Sequence, residues 1–221
     1  MAMQQVTLSR REFLIGTAAA GAGFSLGLYL PFASGPAASA ERPPEVNAWV
    51  VIQPDDTVII RIARSEMGQG TLTGLAQLVA EELECDWSKV TTEYPTPGEN
   101  LARDKVWRSF STGGSQGIRG SHDYVRKGGA VAREMLIEAA AEAWGVPKAE
   151  CVAANSVITH RPSGRTTTYG TVAAAAAELF PPEHVTLKDP KDWKLIGKPV
   201  KRLDTRDKLT GKQVFGVDLK L

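Results

Sequence analysis

The stretch RSEMGQGTLTGLAQLVAEEL, residues 64–83, decides the fold because a glycine loop passes directly into a helical pattern. Its apolar side chains recur three and four positions apart: Leu72, Leu75, Ala76, Val79 and Leu83. Glutamates 81, 82 and 84 occupy the other positions, as on the polar face of a helix. Glycine admits close approach, and the first turn of a helix attracts anions. The stretch therefore fits either an anion-binding loop or a tight turn that binds nothing.

A second glycine loop, TGGSQG at 112–117, precedes a second long helical pattern at 118–143. Two such loops in one chain favour a large ligand that carries phosphate groups. A nucleotide P-loop is excluded, because no lysine followed by serine or threonine closes either glycine run. A dinucleotide fold is disfavoured by the glycine spacing and by a hairpin, not a parallel βαβ unit, ahead of the first loop. Gly128 and Gly129 interrupt the second helix and predict close packing against a neighbour or ligand.

The remaining pattern predicts an α+β fold, with helices packed on a mostly antiparallel sheet. Its segments are a hairpin at 47–53 and 57–63, a strand at 89–94, a loop at 95–108, a hairpin at 156–160 and 165–169, and an alanine-rich helix at 171–180. Residues 187–221 are charged and turn-rich, and 213–221 predicts a strand without a partner. We expect one domain at 41–186, followed by a linker and the start of a truncated second α/β domain at 187–221.

The charge and the cysteine and histidine content disfavour nucleic-acid binding, a metal site and a Ser/His/Asp catalytic group. With 26 basic and 25 acidic side chains the net charge is +1, which disfavours a nucleic-acid surface. Cys85 and Cys151 lack metal-site spacing, and a buried apolar role is favoured over a disulfide, which an exported protein could form. The three histidines, at 122, 160 and 184, are scattered and predict no Ser/His/Asp group.

The N-terminal forty residues have the pattern of an export signal. Arg10 and Arg11 precede a weakly hydrophobic run at 15–30, and Ala38-Ser39-Ala40 offers a cleavage site. We expect a twin-arginine signal peptide at 1–40, cleaved after Ala40, with an uncleaved membrane anchor as the alternative. The predicted location is the periplasm or the periplasmic face of the inner membrane. Such signals resemble those of proteins that acquire a cofactor before export.

Four stretches carry a resemblance to a known family: SRREFL at 9–14, EMGQGTLTGLAQLVAEEL at 66–83, SFSTGGSQGIRGS at 109–121 and LIGKPVKRLDTRDKLTGKQVFGVDL at 195–219. Together they resemble the molybdopterin-binding large subunit of the xanthine dehydrogenase/aldehyde oxidase family. The likeness is greatest to its isoquinoline 1-oxidoreductase-like branch of exported bacterial enzymes. The last stretch resembles the opening of that family's hammerhead-like domain.

The resemblance implies that the glycine loops contact molybdopterin cytosine dinucleotide, the molybdenum cofactor. The matching residues are Gly68, Gln69, Gly70 and Thr73 in the first loop, and Thr112, Gly113, Gly114, Ser115 and Gln116 in the second. Gly117 stands where the family often has a serine. The implied partners are the remaining part of the large subunit, a small 2Fe-2S subunit that carries the iron–sulfur clusters, and a cytochrome c or another electron acceptor.

The implied activity of the complete enzyme is hydroxylation of an aldehyde or N-heterocycle with oxygen from water. The family's catalytic glutamate lies in a part that these residues do not match, so no catalytic residue is assigned and the chain alone is expected to show little activity. Two alternatives stay open. One is a non-catalytic exported binding or assembly module, or an inactive remnant, and the other is a domain whose glycine loops are only turns.

Overall fold

A computed structural model describes residues 43–220 as a mixed α+β fold, as the sequence predicts. The expected export signal lies outside the described residues. The strands are β1 Glu45–Asn47, β2 Val50–Ile52, β3 Val58–Arg61 and β4 Val90–Glu93 in one sheet, and β5 Cys151–Ala154, β6 Val157–His160 and β7 Thr166–Thr168 in another. The helices are α1 Thr71–Leu83, α2 Pro97–Ala102, α3 Gln116–Arg119, α4 His122–Trp144, α5 Tyr169–Ala177 and α6 Thr205–Leu209. Both predicted hairpins are confirmed, as β2–β3 and β6–β7.

The first sheet contains a parallel crossover that the sequence analysis did not predict. β3 pairs antiparallel with β2 but parallel with β4, with Val58 opposite Val90. The segment β3–loop–α1–β4 is therefore a parallel βαβ unit as well as the continuation of a hairpin. The prediction of a hairpin instead of a parallel βαβ unit at the first loop is wrong. The sequence pattern predicted strand β4 but not its pairing partner. The 13-residue helix α1 forms the crossover that lets β4 return in the same direction as β3, and local pattern does not show this. The first glycine loop thus follows the carboxyl end of a parallel strand, an edge where ligands commonly bind.

The core forms where α1 and α4 pack together and against the first sheet. A Cβ atom on Gly129 would overlap the carbonyl oxygen of Val79, and one on Gly128 would lie 2.7 Å from the Trp49 ring. The predicted close packing at these two glycines is confirmed, and their neighbours belong to the protein itself. A short break after α3 means that the second long helix begins at His122 rather than at 118.

Residues 97–102 form helix α2, where the sequence analysis predicted a loop. Thr96 accepts a hydrogen bond from the backbone N–H of Glu99, and the Glu99 carboxylate accepts one from the N–H of Thr96. This reciprocal cap, with Pro97 in the first turn, stabilises a helix start. The Pro97-Gly98 pair by itself favours a turn, but the capping pair Thr96 and Glu99 around it favours a helix start.

The C-terminal half of α1 is covered by residues 188–196, so Glu81 and Glu82 are buried rather than solvated. Glu81 accepts hydrogen bonds from the Lys188 ammonium at 2.6 Å and from the backbone N–H of Lys194 at 2.9 Å. Glu82 accepts one from the Arg126 guanidinium at 2.6 Å. Their assignment to a polar face was wrong because α1 is enclosed on more sides than its apolar stripe indicates. Charged groups tolerate such burial when they are paired.

The segment after 212 forms no strand within the described residues, contrary to expectation. Gly216–Asp218 is a single 3₁₀ turn, and residues 213–215 are irregular. A strand needs a partner to satisfy its backbone groups, and none of the described strands lies beside this segment. The predicted boundary at 186 and 187 stays a prediction.

The two cysteines, both in the described range, are free and buried. Burial raises the pKa of the Cys85 thiol to about 12, as for a small apolar core residue and unlike a reactive thiolate. Between residues 43 and 220, no helix combines the length and apolarity needed to cross a bilayer.

Candidate functional site

The two predicted glycine loops lie side by side. The backbone N–H of Ser65 donates to the carbonyl oxygen of Phe110 at 3.2 Å. One turn further on, Gly117 is buried against Thr71, and a Cβ atom there would lie 2.9 Å from the threonine Oγ1. The structure therefore brings together both sets of predicted residues, and it explains why position 117 holds a glycine.

Arg64, which is not among the predicted site residues, connects the two loops through buried hydrogen bonds. Its side chain is buried just beyond the end of β3, where Nη1 donates to the carbonyl oxygen of Ser111 at 2.5 Å and Nε donates to Ser121 Oγ at 2.9 Å. Ser121 is the N-cap residue that precedes α4. The available signal was an arginine directly between an apolar strand and a glycine loop, where a buried charge requires partners.

The first loop, residues 65–70, is folded around the carboxylate of Glu66. That carboxylate accepts hydrogen bonds from the backbone N–H groups of Gly68 at 2.7 Å, Gly70 at 3.0 Å and Leu72 at 2.9 Å. Partial burial raises the pKa of Glu66, but these three donors and the nearby positive charge of Arg202 outweigh it, and the pKa lies below its ordinary value. The anion-attracting start of α1 thus contains an anion supplied by the chain.

The predicted side chains of Gln69, in the first loop, and Thr73, in the first turn of α1, also bind protein groups. Gln69 Oε1 accepts from the N–H of Met67 at 2.6 Å, and its Nε2 donates to the carbonyl oxygen of Ser65 at 2.9 Å. Thr73 Oγ1 accepts from the N–H of Leu203 at 3.0 Å. Both side chains therefore stabilise the loop and its attachment to the segment around 203.

The second loop is open by comparison. Gly113–Ser115 forms a 3₁₀ turn that leads into α3, and neither N-cap side chain, Thr112 nor Ser115, bonds the backbone of the turn that it precedes. The Ser111 hydroxyl accepts a hydrogen bond from the N–H of Gly113 at 3.3 Å. Gly114 and Ser115 both have left-handed backbone, with φ of 63° and 57°, which costs about 1 kcal/mol or more at a serine. A Cβ atom on Gly114 would meet only the Gln116 side chain, at 4.0 Å. Residues 113–116 are exposed, so an outside group can reach this backbone.

The nine predicted residues therefore divide by what surrounds them. Gly68, Gln69, Gly70 and Thr73 form a wall already bonded to protein, whereas Thr112, Gly113, Gly114, Ser115 and Gln116 present accessible groups. The backbone N–H groups of Gly114 and Ser115, two hydroxyls and an amide suit the phosphate-bearing part of a large cofactor. The second loop fits such a group directly, and the first loop fits as a supporting wall. Which of the nine touch a cofactor stays a prediction.

A groove of about 550 Å³ borders the first loop, between residues 65–68 and residues 213–216. On its floor, Asp204 accepts hydrogen bonds from Arg202 Nε at 2.9 Å and Lys208 Nζ at 2.6 Å. The hydrogen bond from Arg202 holds the pKa of Asp204 well below its usual range. Burial, with the charge of Glu66 nearby, raises the pKa of Tyr94 in the groove to about 12.

The structure also brings together a serine, a histidine and a carboxylate that the sequence did not group. His160 Nδ1 lies 2.6 Å from Ser163 Oγ, and its Nε2 lies 2.8 Å from Glu150 Oε2. The backbone N–H of Arg165 also donates to Ser163 Oγ, so this trio fastens the β6–β7 turn of the second sheet. Between residues 43 and 220, no cluster of three or more His, Cys, Asp or Glu side chains is arranged to hold a metal ion.

Comparison with known proteins identifies the family. The model of the molybdopterin cofactor-binding domain matches residues 3–217. The chain is 31% identical over 230 residues to the membrane-bound aldehyde dehydrogenase (pyrroloquinoline-quinone) of Gluconacetobacter polyoxogenes, covering 99% of this chain and 28% of that protein. It is 30% identical over 259 residues to the isoquinoline 1-oxidoreductase subunit beta of Brevundimonas diminuta, covering 99% and 32%. The chain thus spans about a third or less of these relatives.

Among solved structures, quinoline 2-oxidoreductase from Pseudomonas putida 86 superimposes with a TM-score of 0.43 at 18% identity, over 57% of this chain and 15% of that one. A score of that size does not by itself establish a shared fold. The family match is the stronger finding, because it extends across both glycine loops and the segment bonded to them. The chain therefore belongs to the molybdopterin cofactor-binding domain family of xanthine dehydrogenase-type subunits.

Proposed function

We propose that this chain holds the molybdenum cofactor of an exported dehydrogenase, and that its second glycine loop binds the cofactor's phosphate groups. The observation that carries the proposal is the exposed turn Gly113–Ser115, whose left-handed Gly114 leaves open space above the backbone. The family match and the relatives' names, an aldehyde dehydrogenase and an isoquinoline oxidoreductase, support an oxidoreductase.

The residues of this chain bind and orient the cofactor, and we assign no proton transfer to them. Thr112 and Ser115 offer hydroxyls, Gln116 offers an amide, and Gly114 offers backbone that no side chain obstructs. Bound there, the cofactor supplies the two-electron oxidation chemistry, while the buried Arg64 keeps the loop beside the first one.

The finer assignments are part of the same proposal. The cofactor is the cytosine dinucleotide form of molybdopterin, and the substrate is an aldehyde or N-heterocycle. The partners are the rest of a large subunit, a small 2Fe-2S subunit and a cytochrome c or other acceptor. The site of action is the periplasm or the periplasmic face of the inner membrane. The resemblance at 66–83, 109–121 and 195–219 supports the cofactor, and the twin arginine at 10 and 11 supports the location.

The test is the cofactor content of the chain purified with whatever subunits accompany it in its host. Molybdenum is measured by mass spectrometry, and cytidine monophosphate is measured after acid hydrolysis. Pyrroloquinoline quinone is measured in the same sample, because the name of one relative includes it. We expect molybdenum and cytidine monophosphate in equal amounts. Pyrroloquinoline quinone without molybdenum would contradict the proposal.

A matched pair of glycine variants assigns the contact to the second loop. Gly114→Ala and Gly164→Ala both place a Cβ on left-handed backbone, at φ of 63° and 71°, and at neither position does it meet a protein atom closer than 4.0 Å. Strain should thus be similar, about 1 kcal/mol each. We expect Gly114→Ala to retain the cofactor roughly tenfold more weakly, since a blocked charged hydrogen bond has that effect, and Gly164→Ala to retain it normally. Equal retention would remove the second loop from the site.

The alternative, a non-catalytic binding or assembly module, makes a different prediction for the complete complex. Both readings allow a bound cofactor, but only the enzyme oxidises aldehydes or N-heterocycles. Assay of the cofactor-loaded complex with an artificial electron acceptor separates them, and a loaded complex without turnover supports the module.

A further inference from the structure

The carboxylate of Glu66 is held by four donors from two parts of the chain. Three are the backbone N–H groups of Gly68, Gly70 and Leu72, and the fourth is Arg202 Nη2, at 3.1 Å from Oε1. Only 12% of the Glu66 side chain is exposed. All four donors, which we call the Glu66 cradle, point at this one carboxylate, and the carboxylate fills the space between them.

Arg202 holds the loop at a second point. Its Nη1 donates to the carbonyl oxygen of Gly68 at 2.7 Å, and its Nε and Nη2 donate to Asp204 at 2.9 and 2.8 Å. Asp204 therefore fixes the guanidinium, and the guanidinium fixes both the Glu66 carboxylate and the Gly68 peptide. Planar, multiple hydrogen bonding of this kind needs arginine rather than lysine.

Side-chain packing does not account for the shape of the loop. Gly68 and Gly70 have φ of 104° and 91°, conformations that side chains rarely adopt, and nothing lies within 4 Å of the position a Gly68 Cβ would take. Hydrogen bonds to Glu66 restrain both residues, and Arg202 also holds the carbonyl of Gly68. The first helical bond, from the N–H of Gly74 to the carbonyl oxygen of Gly70 at 2.9 Å, and the Gln69 side chain add to this restraint.

We propose that Glu66 and Arg202 are positioning residues that set the shape of the first glycine loop, with the Glu66 carboxylate occupying the place of a ligand anion. The anion-binding start of α1 is then closed to a phosphate group. The consequence for the cofactor rests on the proposed function: its phosphates lie against the second loop, and the first loop presents a preformed wall.

The test replaces the internal anion with an external one. In the full chain, Glu66→Ala removes the carboxylate and leaves its donors in place, and we expect the melting temperature to fall by roughly 5 to 10 °C. Sodium formate, a free carboxylate of the right size, should restore much of that loss in a saturable manner beyond the effect of equal sodium chloride. A lack of formate-specific recovery in a folded Glu66→Ala variant would overturn the proposal.

Two controls make the recovery specific to the cradle. Glu66→Gln fills the same space with a neutral amide, so formate should not stabilise it. Glu99→Ala removes another carboxylate that accepts a backbone N–H at a helix start, but its partners are confined to Thr96, so formate should not stabilise it either. Stabilisation of all three variants by formate would show a general salt effect and would also overturn the proposal.

Arg202→Lys keeps the test decisive if Glu66→Ala does not fold. Lysine retains the charge but cannot bond Gly68, Glu66 and Asp204 together. We expect amide hydrogen exchange at 68–72 to be at least tenfold faster in this variant, with exchange in β5–β6 unchanged. Unchanged exchange at 68–72 would contradict the assigned role of Arg202.

Molybdenum content separates this inference from the proposed function. Formate recovery in Glu66→Ala, combined with no molybdenum in the wild-type complex, would leave the positioning role intact and remove the proposed function. Molybdenum that is present in the wild type and lost in Gly114→Ala, combined with no formate recovery in Glu66→Ala, would support the proposed function and overturn the positioning role. If both ideas hold, formate should also increase the molybdenum retained by Glu66→Ala.

Discussion

At the scale of single residues, the site depends on polar side chains whose partners lie far away in the chain. Arg64 bonds to Ser111 and Ser121, and Thr73 bonds to Leu203. Each contact joins a residue of the first loop or its flanks to another segment. Thr73, which the sequence offered as a ligand contact, therefore also holds the first loop against a distant segment, as does Arg64, which the sequence did not offer.

Replacing the buried Arg64, just beyond the end of β3, by lysine tests this role. Lysine cannot donate to the Ser111 carbonyl and the Ser121 hydroxyl with the same geometry, so we expect a loss of about 1 to 3 kcal/mol in the free energy of unfolding. Arg161→Lys, at an exposed arginine in the β6–β7 turn, is the control and should change stability by less than about 0.5 kcal/mol. Denaturant unfolding measures both, and equal stabilities would show that the Arg64 bonds contribute nothing.

At the scale of elements, the packing of α1 on α4 depends on glycines that permit close approach. Gly129 faces the backbone of α1 at Val79, whereas Gly74 in α1 faces only the end of the Ile118 side chain, at 2.8 Å. Backbone cannot move without shifting the helix, but a side-chain terminus can rotate away. Two glycines inside helices therefore have different reasons for being there.

Alanine at these two positions should have opposite outcomes. Gly129→Ala forces the helices apart, and we expect a loss of about 1 to 3 kcal/mol despite the better helix propensity of alanine. Gly74→Ala gains up to about 1 kcal/mol of propensity against a small repacking cost, so we expect a change near zero or a slight stabilisation. Thermal unfolding of the two variants provides the comparison, and a stable Gly129→Ala would contradict the packing argument.

At the scale of the whole molecule, residues 188–204 are attached to α1 by buried carboxylates and by the first loop. Lys188, Lys194 and Ile196 all donate to Glu81. Burial raises the pKa of Glu81, but the Lys188 ammonium and the backbone donors outweigh it, and the pKa lies below the ordinary value of 4.5. The charged Glu81 therefore stabilises the folded chain.

This attachment should depend on pH in a defined direction. A carboxyl group whose pKa is lowered by folding stabilises the protein above its unfolded-state pKa, and that contribution disappears as the pH falls through the folded-state pKa. We expect Glu81→Gln to be less stable than wild type at pH 7, and the difference to shrink below about pH 4.5. Glu178→Gln, at an exposed glutamate, is the control. A difference in melting temperature that does not change with pH would exclude this role.

The sequence predicted what depends on local pattern and missed what depends on distant neighbours. The period of 72–83 predicted α1, and the alternating runs predicted both hairpins. The parallel partner of β4 and the burial of Glu81 and Glu82 require knowledge of segments many residues away. The nine candidate residues were placed in two loops that do meet, but a motif cannot show that Glu66 occupies the first one.

The contact between Gly117 and Thr71 makes the side chains that fit at these two positions depend on each other. Because a Cβ at 117 would lie 2.9 Å from the threonine hydroxyl, a side chain there requires a smaller or differently turned residue at 71. Homologues that carry serine at the position of Gly117 should therefore differ at the position of Thr71 more often than homologues that carry glycine. An exchange of one glycine loop between such proteins would therefore require the exchange of the other, because a side chain added at 117 must fit the residue at 71.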